Sequence, residues 1–282
     1  MYINNMSSKN LMNEEGKEIL YIKTKFGFIF KIVAELLSNN IKNSCFVVNK
    51  DGIFLNGMDH DKSILINLKM FKANFNVFNF TPPELDNPVI LLGLNTSIFY
   101  KVLKSIKKKD IIVLKITDDQ PNVLKIQVEH PEDGNSVLQT RIKFIKIHPE
   151  DIMMPSDYKC ETIVGGKEFQ KLAKNLSTIG KDVIIFSQEN GIRFYCEGGE
   201  LCDRDVCFGK YDIAKPNEYQ GTLNTCCITQ LMKIASLSTN VQIFTDNKLP
   251  LKIKMQLGML GMIEVYLKSL EEIELDKPES LS

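Results

Sequence analysis

The sequence predicts an α+β protein made of two copies of one domain, each copy holding two helices packed on antiparallel sheets. Three observations predict it. Short runs of aliphatic, β-branched and aromatic residues, cut by turn text, fill the chain from about residue 20 onward. Only four segments show helical period, two in each half. The halves also align with each other, element for element.

The strand runs are CFVV, GIFL, SILINL, IIVLKI, VLKIQV and RIKFIKI in the first half, and DVIIF, GIRFYC, VCFGKY, VQIF, LKIKMQL and IEVYL in the second. Between them stand NKDG, DDQPN, PEDGN, QENG and TDNK, rich in the residues that reverse a chain. Helices are expected over 27–40, 95–108, 167–179 and 223–236. Long series of strands broken by so few helices argue for antiparallel sheets over alternating βαβ units.

Set without a gap, FKIVAELLSNNIKNSCFVVNKDGI (30–53) and FQKLAKNLSTIGKDVIIFSQENGI (169–192) share Phe30/Phe169, Ala34/Ala173, Leu37/Leu176, Ser38/Ser177, Lys42/Lys181, Gly52/Gly191 and Ile53/Ile192. Leu94-Asn95-Thr96 recurs as Leu223-Asn224-Thr225, and Lys104 falls on Lys233. Chance explains one tripeptide more easily than a run of identities that keeps helix, turn and strand in order. The expected organisation is a flexible polar extension at 1–18, a first domain at 19–147, a connector at 148–160, a second domain at 161–275 and a tail at 276–282.

The 282 residues are 44% hydrophobic and carry 35 basic against 35 acidic side chains. Zero net charge excludes a protein that coats nucleic acid by bulk charge, but not one that segregates its charge on one face. Seven cysteines without a C-x-x-C, and three histidines off metal spacing, read as reduced thiols in an intracellular protein with no metal site. No apolar run approaches the ~20 residues that span a bilayer, so no membrane is expected. MDHD (58–61) and DDQ (118–120) could act on a metal or a proton, but between strands such aspartates more often shape turns. With no G-x-S-x-G, P-loop or dinucleotide fingerprint, the reading is a non-enzyme without cofactors.

The segment KEFQKLAKNLSTIG (167–180) sets Lys167, Lys171 and Lys174 in one stripe opposite Phe169, Leu172, Ala173, Leu176 and Ile179. NTSIFYKVLKSIKKK repeats the pattern with Lys101, Lys104 and Lys108, and Ile98, Val102 and Ile106 among its apolar positions. The first helix shows Lys31 beside Glu35 and Ser38; the fourth shows Cys226, Gln230 and Lys233. A single such stripe is usually a solvated face. Its recurrence on duplicated helices of a neutral chain points to a shared surface for a polyanion. Lysine, a mobile point charge, suits phosphate contact without base reading. A few such contacts are weak at physiological salt, so a DNA-binding protein of this kind needs another way to stay on.

GMDHDKSILINL (57–68), LNTSIFYKVLKSIKKKDIIVLKITDD (94–119), EFQKLAKNLSTIGKDVIIFSQENGIRF (168–194) and KLPLKIKMQLGMLGMIEVYLKSLEEIE (248–274) resemble the proliferating cell nuclear antigen family, the ring-shaped DNA sliding clamps. The resemblance runs in order from about residue 20 to 275. It implies the DNA clamp fold and a head-to-tail homotrimer with twelve helices lining the hole, a ring that holds duplex DNA by topology. It implies a processivity factor that tethers DNA polymerase, clamp loader and other replication and repair clients, located in the nucleus, or at a replication site for a virus. The family's inner basic positions fall on Lys31, Lys101, Lys104, Lys171, Lys174 and Lys233; Lys108 and Lys167 are added from stripe geometry alone. Its pocket for a client peptide falls on Met58, Leu65, Met154, Pro250 and Tyr266, with Lys62 on the rim.

The chain departs from the family pattern at Cys226 and Ile32, where basic residues are expected, and at Ser269, where a proline is expected. Glu189 stands where many members carry a ubiquitin-accepting lysine. LQTRIKFIKI (138–147) and RDVCFGKY (204–211) are the expected joining edges between subunits. The alternative function is a clamp-like subunit of a heterotrimeric checkpoint or transcription-accessory ring. A more distant one is a DNA-processing enzyme with a metal at MDHD.

Overall fold

A computed structural model of the chain describes residues 16–82, 88–132, 136–200 and 202–276. The expected extension and tail lie almost wholly outside these residues. The α+β class is found, and every strand pairing described is antiparallel.

Three sheets form. The first, of five strands, has the order β5 (Val77–Phe80), β1 (Glu18–Thr24), β7 (Ile111–Thr117), β8 (Val123–His130), β9 (Ser136–Lys143). The second, of eight strands, runs β10 (Cys160–Gly165), β15 (Asn240–Asp246), β16 (Leu249–Gln256), β17 (Gly261–Leu267), β4 (Ile64–Phe71), β3 (Gly52–Met58), β2 (Asn43–Asn49), β6 (Ile90–Asn95). The third, of four strands, runs β13 (Asp203–Gly209), β12 (Gly191–Glu197), β11 (Asp182–Gln188), β14 (Tyr219–Asn224).

The duplication explains this layout. Strands β1-β7-β8-β9 of the first half correspond to β10-β15-β16-β17 of the second, and β4-β3-β2-β6 correspond to β13-β12-β11-β14. The eight-stranded sheet is therefore two half-sheets, one from each copy, fused where β17 pairs with β4. In β17 and β4, Ile66 and Val265 are cross-strand partners and both are buried, so the two copies share one hydrophobic core.

The helices form one row against these sheets: α2 (Thr96–Leu103) touches α1 (Gly27–Asn40), α1 touches α5 (Met232–Ala235), and α5 with α4 (Thr225–Gln230) touches α3 (Gly166–Leu176). Because α1 is flanked on both sides, Ile32 and Leu36 are buried as well as its sheet-facing residues.

The repeated Leu-Asn-Thr has a physical reason. Asn95 caps α2 by accepting from Ile98 N at 3.0 Å, and Asn224 caps α4 by accepting from Cys226 N at 2.9 Å. Each following threonine turns its hydroxyl back to the loop before it. Thr96 Oγ1 donates to the carbonyls of Ile41 and Lys42, and Thr225 Oγ1 to those of Gly180 and Lys181.

Several helix boundaries differ from expectation. The second helix stops at Leu103, not at 108. Beyond it the chain turns to bury Ile106 and Asp110, whose carboxylate accepts from Lys107 N at 2.7 Å. The core face of α2 is Thr96, Phe99 and Leu103, leaving Ile98 exposed, because the large Phe99 ring takes the inward register together with Leu103. The third helix ends at Leu176, where Ser177 and Thr178 hydroxyls bind the carbonyls of Lys174 and Asn175. The fourth breaks at Leu231 into α4 and α5.

A sixth helix, α6 (Leu270–Leu275), is absent from the sequence reading. Ser269 caps it: Glu272 N donates to its Oγ at 3.2 Å, and its own N–H donates to Glu272 at 2.6 Å. Glu271 accepts from both Thr222 N and Thr222 Oγ1, so α6 covers part of the β14 edge. In the first half, the chain after β9 covers β6 in the same place: Ile145 N donates to Gly93 O, against a residue with no Cβ to obstruct it. That segment is thus no longer strand, and the expected strand 138–147 ends at Lys143.

Candidate nucleic-acid interface

The row of helices carries the lysines. On α3, Phe169, Leu172, Ala173 and Leu176 are buried, while Lys167, Lys171 and Lys174 are exposed. Glu168, the one acid in its first turn, accepts from Gly165 N at 3.2 Å and so caps its own helix. Among the described residues none of the three lysines has an ion-pair partner. Three lysines against the single Glu168 leave a net positive charge along about two turns of helix.

Lys101 and Lys104 are exposed on α2 and at its C-cap, likewise without an ion pair among the described residues. Lys108 is exposed but lies in a turn past the helix, so the expected three-lysine stripe on this helix is two lysines and a loop residue. The cause is the early stop at Leu103.

Lys31 and Lys233 are held differently. Lys31 is half-buried, stands 5.5 Å from the Phe28 ring centre and donates from Nζ to Ile106 O at 3.0 Å. Lys233, on α5, pairs with Glu35 on α1. Beside this pair, Asn40 Nδ2 donates to Gln230 Oε1 at 2.6 Å. The two contacts stitch the copies together at the helix layer, as β17 and β4 do in the sheet.

On the other side of the eight-stranded sheet, strand register lines up the expected peptide pocket. Met58 on β3 is the direct partner of Leu65 on β4, and Leu65 that of Tyr266 on β17. The row continues to Lys252 on β16. Met154 is half-buried on the connector, four residues before Tyr158, whose hydroxyl donates to Pro250 O at 2.8 Å. Lys62 is exposed at the hairpin between β3 and β4, with a left-handed φ of 55°.

The sequence reading missed Lys252 and Tyr158. Lys252 Nζ lies 4.9 to 5.7 Å from the ring centres of Phe244, Tyr266 and Tyr158, and 3.2 Å from Glu264 Oε1. Burial pushes the hydroxyls of Tyr158 and Tyr266 well above the usual tyrosine range, so both stay protonated donors. In LKIKMQ the alternation of lysine with apolar residues signals a strand's outer face, but only register reveals which rings flank Lys252.

Of the two carboxylates of MDHD, Asp59 serves the hairpin. Asp59 accepts from Ser63 N, Ser63 Oγ and Ile64 N at 2.6 to 2.7 Å, and His60 and Asp61 point to solvent. Among the described residues no three His, Cys, Asp or Glu side chains gather as a metal site. Among them, too, no helix is long and apolar enough to cross a membrane. Of the neighbouring thiols Cys226 and Cys227, burial raises Cys227 to about 11, which keeps it protonated.

Residues 19–151 match the family model for the proliferating cell nuclear antigen N-terminal domain, and 153–270 match that for its C-terminal domain. The proliferating cell nuclear antigen of Chaetomium thermophilum is 26% identical over 250 residues, which cover 85% of this chain and 93% of the relative. Two half-sheets fused in the middle, a row of helices bearing lysines, and matches to both domains of one family converge: the chain belongs to the proliferating cell nuclear antigen family of DNA sliding clamps.

Proposed function

We propose that three copies of this chain join head to tail into a ring that encloses duplex DNA, slides along it and tethers polymerase and other clients during replication and repair in the nucleus. One observation carries this reading: the joint inside the chain is a template for a joint between chains. Within the chain, β17 pairs with β4. By the duplication β9 corresponds to β17 and β13 to β4, and both β9 and β13 are sheet edges with mostly exposed side chains. If β9 of one copy pairs with β13 of the next, every joint in the ring is the same joint. Val137 and Leu138 on β9, exposed in the single chain, would be covered there. Unlike edges meeting head to tail close a ring when the rotation permits, and closure removes two aggregation-prone edges.

In such a ring Lys101, Lys104, Lys108, Lys167, Lys171 and Lys174 would meet phosphates, with Lys31 and Lys233 nearby. Topology supplies retention, so contacts need not be strong. Met58, Leu65, Met154, Pro250 and Tyr266, with Lys62 at the rim, would receive a client's apolar motif; two methionines give that surface adaptability. The chain acts as a scaffold and does no chemistry of its own.

The mass of the purified chain in solution tests the assembly. A particle about three times 32.1 kDa that falls to monomer in Val137→Lys/Leu138→Lys is the expected result. A chain that stays monomeric at high concentration would favour the heterotrimer subunit instead.

A further inference from the structure

Glu35 and Lys233 meet across the seam between the two copies, in the middle of the helix row. We infer that this seam is a charge-neutral gap in the DNA-facing surface, so that each subunit meets phosphate through two separate lysine patches, one on α2 and one on α3. The inference rests on the proposed DNA-enclosing role of the helices.

The outward residues of α1 are Lys31, Glu35, Ser38 and the exposed Asn39, with Glu35 the one acid of the helix. Lys31 keeps its charge, but it donates to Ile106 O toward α2 and so counts with the α2 patch, which leaves Lys233 as the cation bound to Glu35. The Glu35 side chain is 20% exposed and that of Lys233 57%. The carboxylate is thus the fixed member and the ammonium the mobile one. Around the pair, Ile32 is buried, Cys226 is an exposed free cysteine where a basic side chain could have stood, and Gln230 is bonded to Asn40.

An ion pair with an exposed ammonium is weak, so a phosphate could draw Lys233 away. Doing so would uncover a carboxylate within a Debye length, about 8 Å at physiological salt, of the same phosphate. Paired or drawn off, the two groups sum to no charge. Lys233 then differs in kind from Lys171 or Lys174, which have no acid paired with them among the described residues.

Salt dependence separates the two cases, because each phosphate neutralised adds roughly 0.9 to the slope of log affinity against log salt. Binding of the full chain to a fluorescent duplex would be measured over a salt series, with melting curves confirming that each variant folds. Lys233→Met keeps the aliphatic stem. The pair-deleting variant Glu35→Gln/Lys233→Met should keep the parent slope, and Glu35→Gln alone should steepen it by up to roughly 0.9 per subunit. Lys171→Ala should make it shallower. The inference is overturned if the pair-deleting variant loses as much slope as Lys171→Ala, or if Glu35→Gln changes nothing. A flat response from Lys171→Ala would reject the DNA-facing reading itself, and this inference with it.

Discussion

Leu65 and Tyr266 are direct cross-strand partners in the β4–β17 ladder, which fuses the two copies of the domain. The same pairing therefore joins the domains and lines up the expected peptide pocket. Leu65 and Tyr266 are both buried, whereas their neighbour Met58 is half-exposed. In the proposed pocket, contact with a partner would fall to Met58 and the connector, with the buried pair as the floor.

Met58→Ala with Met154→Ala should weaken binding of a client peptide about tenfold, on the order of 1–2 kcal/mol for truncating two side chains that touch it, while leaving assembly unchanged. Isothermal titration with such a peptide, beside a mass measurement, checks this. Unchanged affinity would reject the pocket.

Lys171→Ala/Lys174→Ala should reduce polymerase stimulation and lower the salt slope by roughly 0.9 for each phosphate no longer neutralised. Neither side chain packs in the core, so thermal stability should move by less than about 0.5 kcal/mol. Full stimulation by the variant would show that α3 does not face DNA.

Asn95→Ala and Asn224→Ala remove equivalent caps in the two copies. Each should cost about 0.5–2 kcal/mol in denaturant unfolding. A cost at one site only would mean that the duplicated Leu-Asn-Thr does different work in each half.

Burial pushes the Glu271 carboxyl up, yet donation from Thr222 Oγ1 and N outweighs it and leaves the group below its ordinary value. A carboxyl depressed in the folded state stabilises above its unfolded pKa, and that stability is lost as pH falls through the folded value. Melting temperature followed from pH 7 into acid should therefore fall further for the parent than for Glu271→Gln. Parallel curves would contradict the docking of α6 on β14.

Much of this fold is legible in the sequence because duplication doubles every signal. Phe30 and Phe169, or Thr96 and Thr225, support each other where either alone would be ambiguous. The α3 stripe is legible too, since Phe169, Leu172 and Leu176 leave one orientation for Lys167, Lys171 and Lys174. On α2 the apolar residues offered two registers, and packing chose Phe99 over Ile98. Lys108 fell off the helix for a reason carried by Asp110, well past Leu103. Helix α6 had a readable S-x-x-E signal in Ser269 and Glu272, obscured by its acidic text. The pairing of Glu35 with Lys233 joins residues far apart in the chain, and local pattern does not report it.

In the proposed ring the chain holds DNA by enclosing it. Assembled on nicked circular DNA and washed at high salt, it should remain bound, then be lost within minutes once a single cut linearises the circle. Equal retention on circular and linear DNA, or equal loss from both, would contradict the account.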